Sequence, residues 1–104
     1  MNNNWKVYLL RCSDNSLYCG VTNNMRRRLR RHLIGRGSKY TRSRLPVELV
    51  WESTDTDKST ALKAEYYIKK RTKADKEELL TGCGVLHQAL LESFGMSHRN
   101  VTIN

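Results

Sequence analysis

The sequence predicts a small α+β domain. Three short stretches rich in β-branched, aromatic and aliphatic residues predict strands, and four stretches with helical spacing and capping signals predict helices. A chain of 104 residues has room for one small hydrophobic core. We therefore expect a single domain over residues 1–95, with its core at about 5–80, a C-terminal helix at about 85–94 and a tail over 96–104.

The first two strands are predicted to form an antiparallel hairpin. Trp5–Arg11 and Leu17–Val21 both have the composition of strands, and the side chains of the polar turn 13–16 between them readily bond nearby backbone. A third strand is predicted over Val47–Glu52, where polar and apolar residues alternate and a Trp is available for burial.

The first helix is predicted over Asn24–Ile34, directly after the hairpin. Its N-cap candidates are Thr22, Asn23 and Asn24, because a side-chain oxygen can accept a hydrogen bond from a free backbone N–H. Its apolar stripe consists of Met25, Leu29 and Leu33.

A carboxylate, Glu65, is part of the apolar face of the second predicted helix, Ser59–Arg71, which Asp57 or Ser59 can cap. At about 100° per residue, Glu65 falls inside the arc of the apolar side chains, whereas Tyr67 falls outside it. The apolar residues are Ala61, Leu62, Ala64, Tyr66 and Ile68.

Two further helices complete the prediction. Thr72 begins a sequence typical of a capping box, and that helix is expected to end near Thr81–Gly82. The last helix is predicted over Leu86–Phe94, where Gly95 stops it. The tail after it is expected to be frayed or docked. Its two apolar anchors are Val101 and Ile103.

Positive charge is concentrated in one segment. The sequence has 19 Lys and Arg against 10 Asp and Glu, a formal net charge of +9. No acidic residue lies between Asp14 and Glu48, and the nine basic residues of that interval account for the whole excess. They are Arg26, Arg27, Arg28, Arg30, Arg31, Arg36, Lys39, Arg42 and Arg44.

An arginine-rich segment of this kind is typical of a nucleic-acid-binding face, because guanidinium groups bind phosphates and release counterions. We assign nucleic-acid binding to all nine residues except Arg28, which belongs to the site described below. One alternative is a solvated arm that binds polyanions without selectivity. An anionic membrane surface ranks lower, since the segment lacks a broad apolar face with Trp or Phe.

Composition disfavours several classes of protein. No apolar run approaches the roughly 20 residues that a membrane helix needs, and the Asn-rich start has no signal-peptide core. The cysteines Cys12, Cys19 and Cys83 are odd in number and form no C-x-x-C pair, which argues against a disulfide framework or a zinc ribbon. We expect a cytoplasmic protein without membrane association, because free thiols suit a reducing compartment.

Five residues form a candidate site. Glu65 is predicted on a core-facing side, where burial is costly unless the charge is paired or ligates a metal. Arg28 and His32 are one helical turn apart, and Tyr8 and Tyr18 lie on adjacent predicted strands. Together these residues fit a phosphodiesterase site, in which the carboxylate holds Mg²⁺ and the metal polarises the phosphate.

Each of the five also has a purely structural interpretation. A strand tyrosine or a helical histidine commonly packs in a core, and Arg28 can contact solvent or any phosphate. Glu65 can be neutralised by Lys69, four residues later on the same helix.

Short motifs follow one another along the chain in a specific order. They are Lys6-Val7-Tyr8, then Tyr18-Cys19-Gly20, then Thr22 leading to Arg28 and His32, then Glu65. This order resembles the GIY-YIG nuclease domain, in its small stand-alone bacterial branch, over about residues 5–80. The resemblance implies a three-stranded antiparallel sheet flanked by helices, with the active site on the sheet face.

The resemblance also implies a role for each site residue. Glu65 would bind one Mg²⁺ or Mn²⁺ ion, and Arg28 would hold the scissile phosphate and stabilise its charge. Tyr18 would deprotonate or position the attacking water, with nearby cations lowering the pKa of a phenol. Tyr8 and His32 would orient the nucleophile or assist proton transfer.

We therefore predict a metal-dependent endonuclease that hydrolyses phosphodiester bonds in DNA, with RNA as the alternative substrate. A domain this small has little surface for reading sequence, so branched or nicked DNA is expected, in DNA repair or recombination. Targeting would come from the arginine-rich segment or from a protein partner. The sequence sets no oligomeric state.

The main alternative is a catalytically weak or inactive nucleic-acid-binding module with the same fold. Many family members have an Asn downstream of the metal-binding Glu, whereas the corresponding region here reads KADKEELL. A basic ribosome-associated protein is a further alternative. Metal-dependent product formation separates the enzyme from both.

Overall fold

An antiparallel sheet organises the computed structural model, which describes residues 3–99. Its strands are β1 (Lys6–Arg11), β2 (Leu17–Thr22), β3 (Glu48–Ser53) and β4 (His98–Arg99). They are ordered β2-β1-β3-β4, so β2 is an edge strand. The α+β class, the hairpin and the third strand predicted from the sequence are confirmed.

The fourth strand corrects the predicted three-stranded sheet. β4 pairs antiparallel with the end of β3, and Met96 just before it is buried. A strand of two polar residues has no alternating pattern, so composition does not reveal it. The expected anchors Val101 and Ile103 lie outside the described residues.

Side-chain caps explain where most of the helices begin. Within residues 3–99 the helices are α1 (Met25–Leu33), α2 (Lys39–Arg42), α3 (Lys58–Lys69), α4 (Lys73–Leu80) and α5 (Gly84–Phe94). Asn24, Asp57 and Thr72 each accept a hydrogen bond from a backbone N–H of the first turn, as predicted. α2, capped by Ser38, was not predicted, because a single turn is too short to show periodicity.

The central strand β1 is covered on both faces. Its four residues 7–10 are all buried, which explains the continuous apolar run in the sequence. Val7 and Leu9 pack with α3, α4 and α5, whereas Tyr8 and Leu10 pack on the α1 side. The sheet therefore separates two cores, and only the second of them contains the predicted site tyrosines.

Two predicted apolar faces are partly wrong. Leu33 at the end of α1 is 51% exposed, and the buried side chain there is His32. On α3, Leu62 and Tyr66 are exposed, whereas Tyr67 packs against the core. On α1, hydrogen bonds from Arg28 and His32 to other elements help to set the rotation of the helix, and a hydrophobic pattern does not reveal such bonds.

No helix of the described segment 3–99 has the length and apolar character that crossing a membrane requires. The three cysteines are free thiols, of which Cys12 and Cys19 are buried and Cys83 is exposed.

Candidate active site

Tyr8 and His32 form a buried hydrogen-bonded pair between the sheet and α1. The Tyr8 hydroxyl lies 2.8 Å from Nε2 of His32, and Nδ1 of the same ring lies 2.9 Å from Oγ1 of Thr41. All three side chains are fully buried. We call this set the Tyr8–His32–Thr41 chain.

The direction of the bonds in this chain follows from Arg28. Its Nε donates to the Tyr8 oxygen at 3.2 Å, and a guanidinium has no acceptor atom. Because His32 Nε2 is the other hydrogen-bond partner of the Tyr8 hydroxyl, we assign the Tyr8 proton to that bond, which places the ring proton on Nδ1 with Thr41 as its acceptor. The Thr41 hydroxyl continues to Ser38 Oγ, 2.9 Å away.

Burial sets the protonation of both groups. Loss of water raises the pKa of Tyr8 to about 12, although the hydrogen bond from Arg28 acts in the opposite direction. Burial lowers the pKa of His32 to about 4, and the positive charge of Arg28 adds to this effect. At neutral pH the phenol is protonated and the imidazole uncharged, as the hydrogen bonds require.

Arg28 connects α1 to the loop before α2. Its Nη2 donates to the carbonyl oxygen of Gly37 at 2.9 Å, so the half-buried side chain is held at both its Nε and its Nη2. Together with Thr22, Arg27 and Arg31 it lines an open pocket of about 410 Å³. Three guanidinium groups converging on one pocket suit an anion such as a phosphate.

Two glycines allow the site rings to pack closely. A Cβ on Gly20 would lie 2.4 Å from the Tyr8 hydroxyl, and a Cβ on Gly37 would lie 2.2 Å from His32 Nδ1. Any larger residue would displace the ring, because packed heavy atoms do not approach so closely. Gly20 lies directly opposite Tyr8 in the β1–β2 register, which explains the Gly of the Tyr-Cys-Gly motif.

Glu65 faces β2 from α3. Its side chain is 19% exposed, and Oε2 lies 3.3 Å from Nζ of Lys69, so the expected helix pair is formed. The carboxylate is not on the outer surface. Burial raises the pKa of Cys19 on β2 to about 12, and the negative charge of Glu65 is the next largest cause.

Tyr18 lies between His32 of α1 and Lys69 of α3. Its ring centroid lies 5.3 Å from that of His32 and 5.9 Å from the Lys69 ammonium that also holds Glu65. Its ring centroid also lies 6.4 Å from that of Tyr8, whose hydroxyl accepts a hydrogen bond from Arg28 Nε. Tyr18 is half-buried, in contrast to the fully buried Tyr8.

The candidate site wraps around the free edge of β2 and does not lie on one sheet face. Tyr8, Tyr18, Arg28 and His32 are on the α1 side. Glu65 comes from the α3 side, where its neighbours Ala61, Ala64 and Ile68 are in the other core. The five residues thus come from both sides of this edge strand, and Lys69, which pairs with Glu65 and lies 5.9 Å from the Tyr18 ring centroid, links the two sides.

Comparison with known proteins identifies the family. A model of the GIY-YIG catalytic domain matches residues 4–78, more than half of the chain. The chain belongs to the GIY-YIG family. Membership confirms the resemblance seen in the sequence and relates the chain to a superfamily of endonucleases.

Similar GIY-YIG proteins are bacterial and carry the name UPF0213. One from Vibrio cholerae is 48% identical over 85 residues, which are 81% of this chain and 84% of the relative. One from Limosilactobacillus reuteri is 46% identical over 81 residues, 76% of this chain and 84% of the relative. The solution NMR structure of the UPF0213 protein BH0048 from Bacillus halodurans matches with a TM-score of 0.50 and 36% identity, covering 84% of this chain and 95% of that one.

The arginine-rich segment of this GIY-YIG chain lies mostly on the surface. The exposed members are Arg26, Arg27, Arg30, Arg31, Arg36, Lys39 and Arg42, and none of them forms an ion pair within the described residues. Arg44 differs, because its Nε donates to Asp14 at 2.9 Å and its guanidinium lies over the ring of Tyr40. Seven of the eight predicted nucleic-acid contacts are therefore exposed and without an acidic partner in that part of the chain.

Sequence reasoning missed several residues of this GIY-YIG site. Thr41, which bonds His32, lies in the unpredicted helix α2, and Gly37 lies in the loop before it. The available signal was the spacing of Ser38 and Thr41, two short polar residues three positions apart, which is typical of a helix start. Nothing in the sequence indicated that their hydroxyls meet a histidine.

Proposed function

We propose that this protein is a metal-dependent endonuclease that hydrolyses phosphodiester bonds in DNA. The proposal is supported by a series of contacts at the edge of β2: Lys69 pairs with Glu65 and lies 5.9 Å from the Tyr18 ring centroid, and Tyr18 packs beside Tyr8, which accepts a hydrogen bond from Arg28. A carboxylate, a phenol and a guanidinium supply the metal-binding, proton-handling and anion-binding groups that this hydrolysis requires. Membership of the GIY-YIG family supports the same class of reaction.

Glu65 is the residue that would hold a single Mg²⁺ or Mn²⁺ ion. No cluster of three or more His, Cys, Asp or Glu side chains suited to a metal occurs within residues 3–99. One carboxylate nevertheless fits Mg²⁺, which keeps several waters and is commonly bound by one or two carboxylates and the substrate phosphate. When bound, such an ion supplies Lewis-acid stabilisation of charge on the phosphate. Lys69 would compete with such an ion for Glu65, because its ammonium pairs with Oε2 of the carboxylate.

Arg28 would bind the scissile phosphate. Its two hydrogen bonds, to Tyr8 and to the Gly37 carbonyl, fix the guanidinium before the substrate arrives. A donor held in advance stabilises developing negative charge without reorganisation. The neighbouring guanidinium groups of Arg27 and Arg31 would contact adjacent phosphates of the same strand.

Tyr18 would orient the attacking water and take part in its deprotonation. Water can reach this half-buried phenol, whereas the fully buried Tyr8 is closed to solvent. We assign Tyr8 and His32 as positioning residues, because His32 fixes the Tyr8 hydroxyl and that oxygen in turn holds Arg28 Nε. Tyr8 and His32 would therefore affect the reaction by holding the guanidinium of Arg28 in place.

Branched or nicked DNA is the proposed substrate, with DNA repair or recombination as the context. A site at a strand edge with an exposed arginine-rich segment beside it can follow a phosphate backbone, but it offers few groups for reading bases. RNA is the alternative polynucleotide, and targeting by a protein partner is compatible with the small size.

A second candidate function, a non-catalytic nucleic-acid-binding module, is favoured by one observation. Glu65 is already neutralised by Lys69 in this structure. The region KADKEELL, which has no Asn, forms α4, so it contributes no amide side chain to the site. Steep salt dependence of binding is expected for either function, since both use arginine–phosphate contacts.

The test is product formation from labelled duplex, nicked and branched DNA and from RNA, with Mg²⁺, with Mn²⁺ or with a chelator. Glu65→Gln and Arg28→Ala are each expected to slow cleavage by about 100-fold or more, while folding and DNA affinity largely persist because the other basic residues supply most phosphate contacts. Glu78→Gln, an exposed carboxylate of α4, is the matched control and should cut normally. Unchanged cleavage by both Glu65→Gln and Arg28→Ala would contradict the proposed active site. A wild-type protein that binds nucleic acid but forms no metal-dependent product from any substrate would favour the non-catalytic binding module.

A further inference from the structure

A second pocket lies at the beginning of β2, at the opposite end of that strand from the arginine-lined pocket. The first pocket is lined by Thr22 at the end of β2, whereas this one is lined by Leu17, Tyr18 and Cys19 at its start. The second pocket has a volume of about 350 Å³, within the usual range for a small-molecule site. Its other lining residues are Tyr40, Lys69 and Lys76. We call it the Tyr40 pocket.

An aromatic stack forms one wall of the Tyr40 pocket. The rings of Tyr18 and Tyr40 are stacked, with centroids 5.9 Å apart and planes 27° apart. The guanidinium of Arg44 lies 3.8 Å from the Tyr40 ring centroid and is itself held by Asp14. Tyr40 is 38% exposed, so part of its side chain stays open to solvent while Tyr18 and Arg44 fix the orientation of its ring.

Two lysines, Lys69 and Lys76, add positive charge to the pocket. Lys69 lies 5.9 Å from the Tyr18 ring centroid and pairs with Glu65, which ties the pocket to the candidate active site. Lys76 of α4 forms no ion pair within residues 3–99. Aromatic rings beside ammonium groups are the combination that binds a single-stranded nucleotide, with the base on the rings and the phosphate on the cations.

We propose that the Tyr40 pocket binds an unpaired nucleotide next to the phosphodiester bond held at Tyr18 and Arg28. A base inside a duplex has both faces covered by its neighbours and its edge bonded to its partner, so it cannot enter the pocket. The proposal rests on the proposed nuclease function and defines its substrate: a polynucleotide with a single-stranded segment at the site. Duplex phosphates would lie on the arginine-lined pocket at the other end of β2.

The experiment measures binding without metal, so that it does not depend on cleavage. Fluorescence anisotropy with a chelator present compares a blunt duplex with the same duplex carrying a single-stranded tail, the tail being either DNA or RNA. Tyr40→Leu is expected to weaken binding of the tailed probe about 10-fold, the loss of one stacked base, and to leave the blunt duplex unchanged. Tyr40→Phe keeps the ring and should bind like the wild type.

Tyr66→Leu provides a matched control. Tyr66 is also an exposed tyrosine under a lysine, with Lys70 Nζ 4.2 Å from its ring centroid, but it is not part of the pocket. The Tyr66→Leu variant should bind both the tailed probe and the blunt duplex with wild-type affinity. Lys76→Met, a second pocket variant, should weaken binding of the tailed probe more than that of the blunt duplex.

Three results would overturn the proposal: a wild-type protein that does not prefer the tailed probe, equal losses on both probes in Tyr40→Leu, and a similar loss in Tyr66→Leu. Preference for the tail through Tyr40, without any cleavage when metal is restored, supports the pocket and contradicts only the nuclease function. The two proposals therefore fail separately.

Discussion

Replacing Thr41 by Val removes the hydroxyl at the end of the Tyr8–His32–Thr41 chain and keeps the shape of the side chain. The Nδ1–H of His32, which donates to that hydroxyl at 2.9 Å, then has no acceptor in a site closed to water. A buried N–H left without a partner costs about 1–3 kcal/mol. We expect the free energy of unfolding at neutral pH, measured with urea, to fall by that amount.

The tautomer of His32 is the diagnostic readout for Thr41→Val. In the wild type Nδ1 carries the proton and Nε2 accepts from Tyr8, a distinction visible in long-range ¹H–¹⁵N spectra of the imidazole. In the variant a proton on Nδ1 would face a methyl group of Val, whereas a proton on Nε2 would face the Tyr8 oxygen. The population of the form protonated at Nε2 should therefore increase. Thr41→Ser keeps the hydroxyl and should keep the wild-type tautomer, although it also loses a buried methyl group.

Two outcomes would refute this reasoning. A wild-type His32 protonated at Nε2 contradicts the direction assigned to the bonds from Arg28 and Tyr8. A Thr41→Val protein with the wild-type tautomer, and an unfolding free energy within about 0.5 kcal/mol of the wild type, contradicts the role of Thr41.

Three further predictions concern charge. Because burial lowers the pKa of His32 to about 4 from 6.5, its contribution to stability is complete above pH 6.5, and urea unfolding should show it lost as the pH falls towards 4. The hydrogen bonds from Arg11 at 2.5 and 2.6 Å, the largest cause, lower the pKa of Glu77 to about 2 from 4.5. That contribution is present above pH 4.5 and lost between 4.5 and 2, so Glu77→Gln should flatten the stability curve there. Lys69→Met should increase the affinity of Glu65 for Mn²⁺ in electron paramagnetic resonance titrations, since a competing ammonium is removed.

Each of these has a clear contrary result. A free energy of unfolding that is constant between pH 6.5 and 4 would contradict a buried, uncharged His32. If Glu77→Gln loses as much stability between pH 4.5 and 2 as the wild type does, the ion pair of Glu77 with Arg11 on β1 is contradicted. Lys70→Met is the control for Lys69→Met, because Lys70 does not pair with Glu65. Equal effects of the two lysine variants would mean that only net charge matters.

The sheet is predictable from sequence up to β3 because its signals are local. The hairpin turn, the apolar run of β1 and the Trp of the third strand each lie within a few residues of the structure they specify. β4 is different, since His98 and Arg99 become a strand only because β3 offers them a free edge. Pairing of that kind depends on residues more than 40 positions away, and no local pattern encodes it.

The composition of the candidate site could be predicted, but its geometry could not. The spacing of Arg28 and His32 puts both on one side of α1, and the spacing of Glu65 and Lys69 predicts their ion pair. What fixes the rotation of α1 is not local: Arg28 bonds the Gly37 carbonyl, and His32 bonds Thr41. These partners come from a loop and a one-turn helix without periodicity, which also explains why the exposure of Leu33 was mispredicted.

The location of a bound divalent ion tests the proposed active site most directly. Mn²⁺ added in small amounts broadens the amide NMR signals of residues close to it. We predict broadening centred on Glu65 and on residues 18–20 of β2, abolished by Glu65→Gln and retained in Glu78→Gln. Broadening centred elsewhere, or unchanged by Glu65→Gln, would contradict the metal site on which the proposed hydrolysis depends.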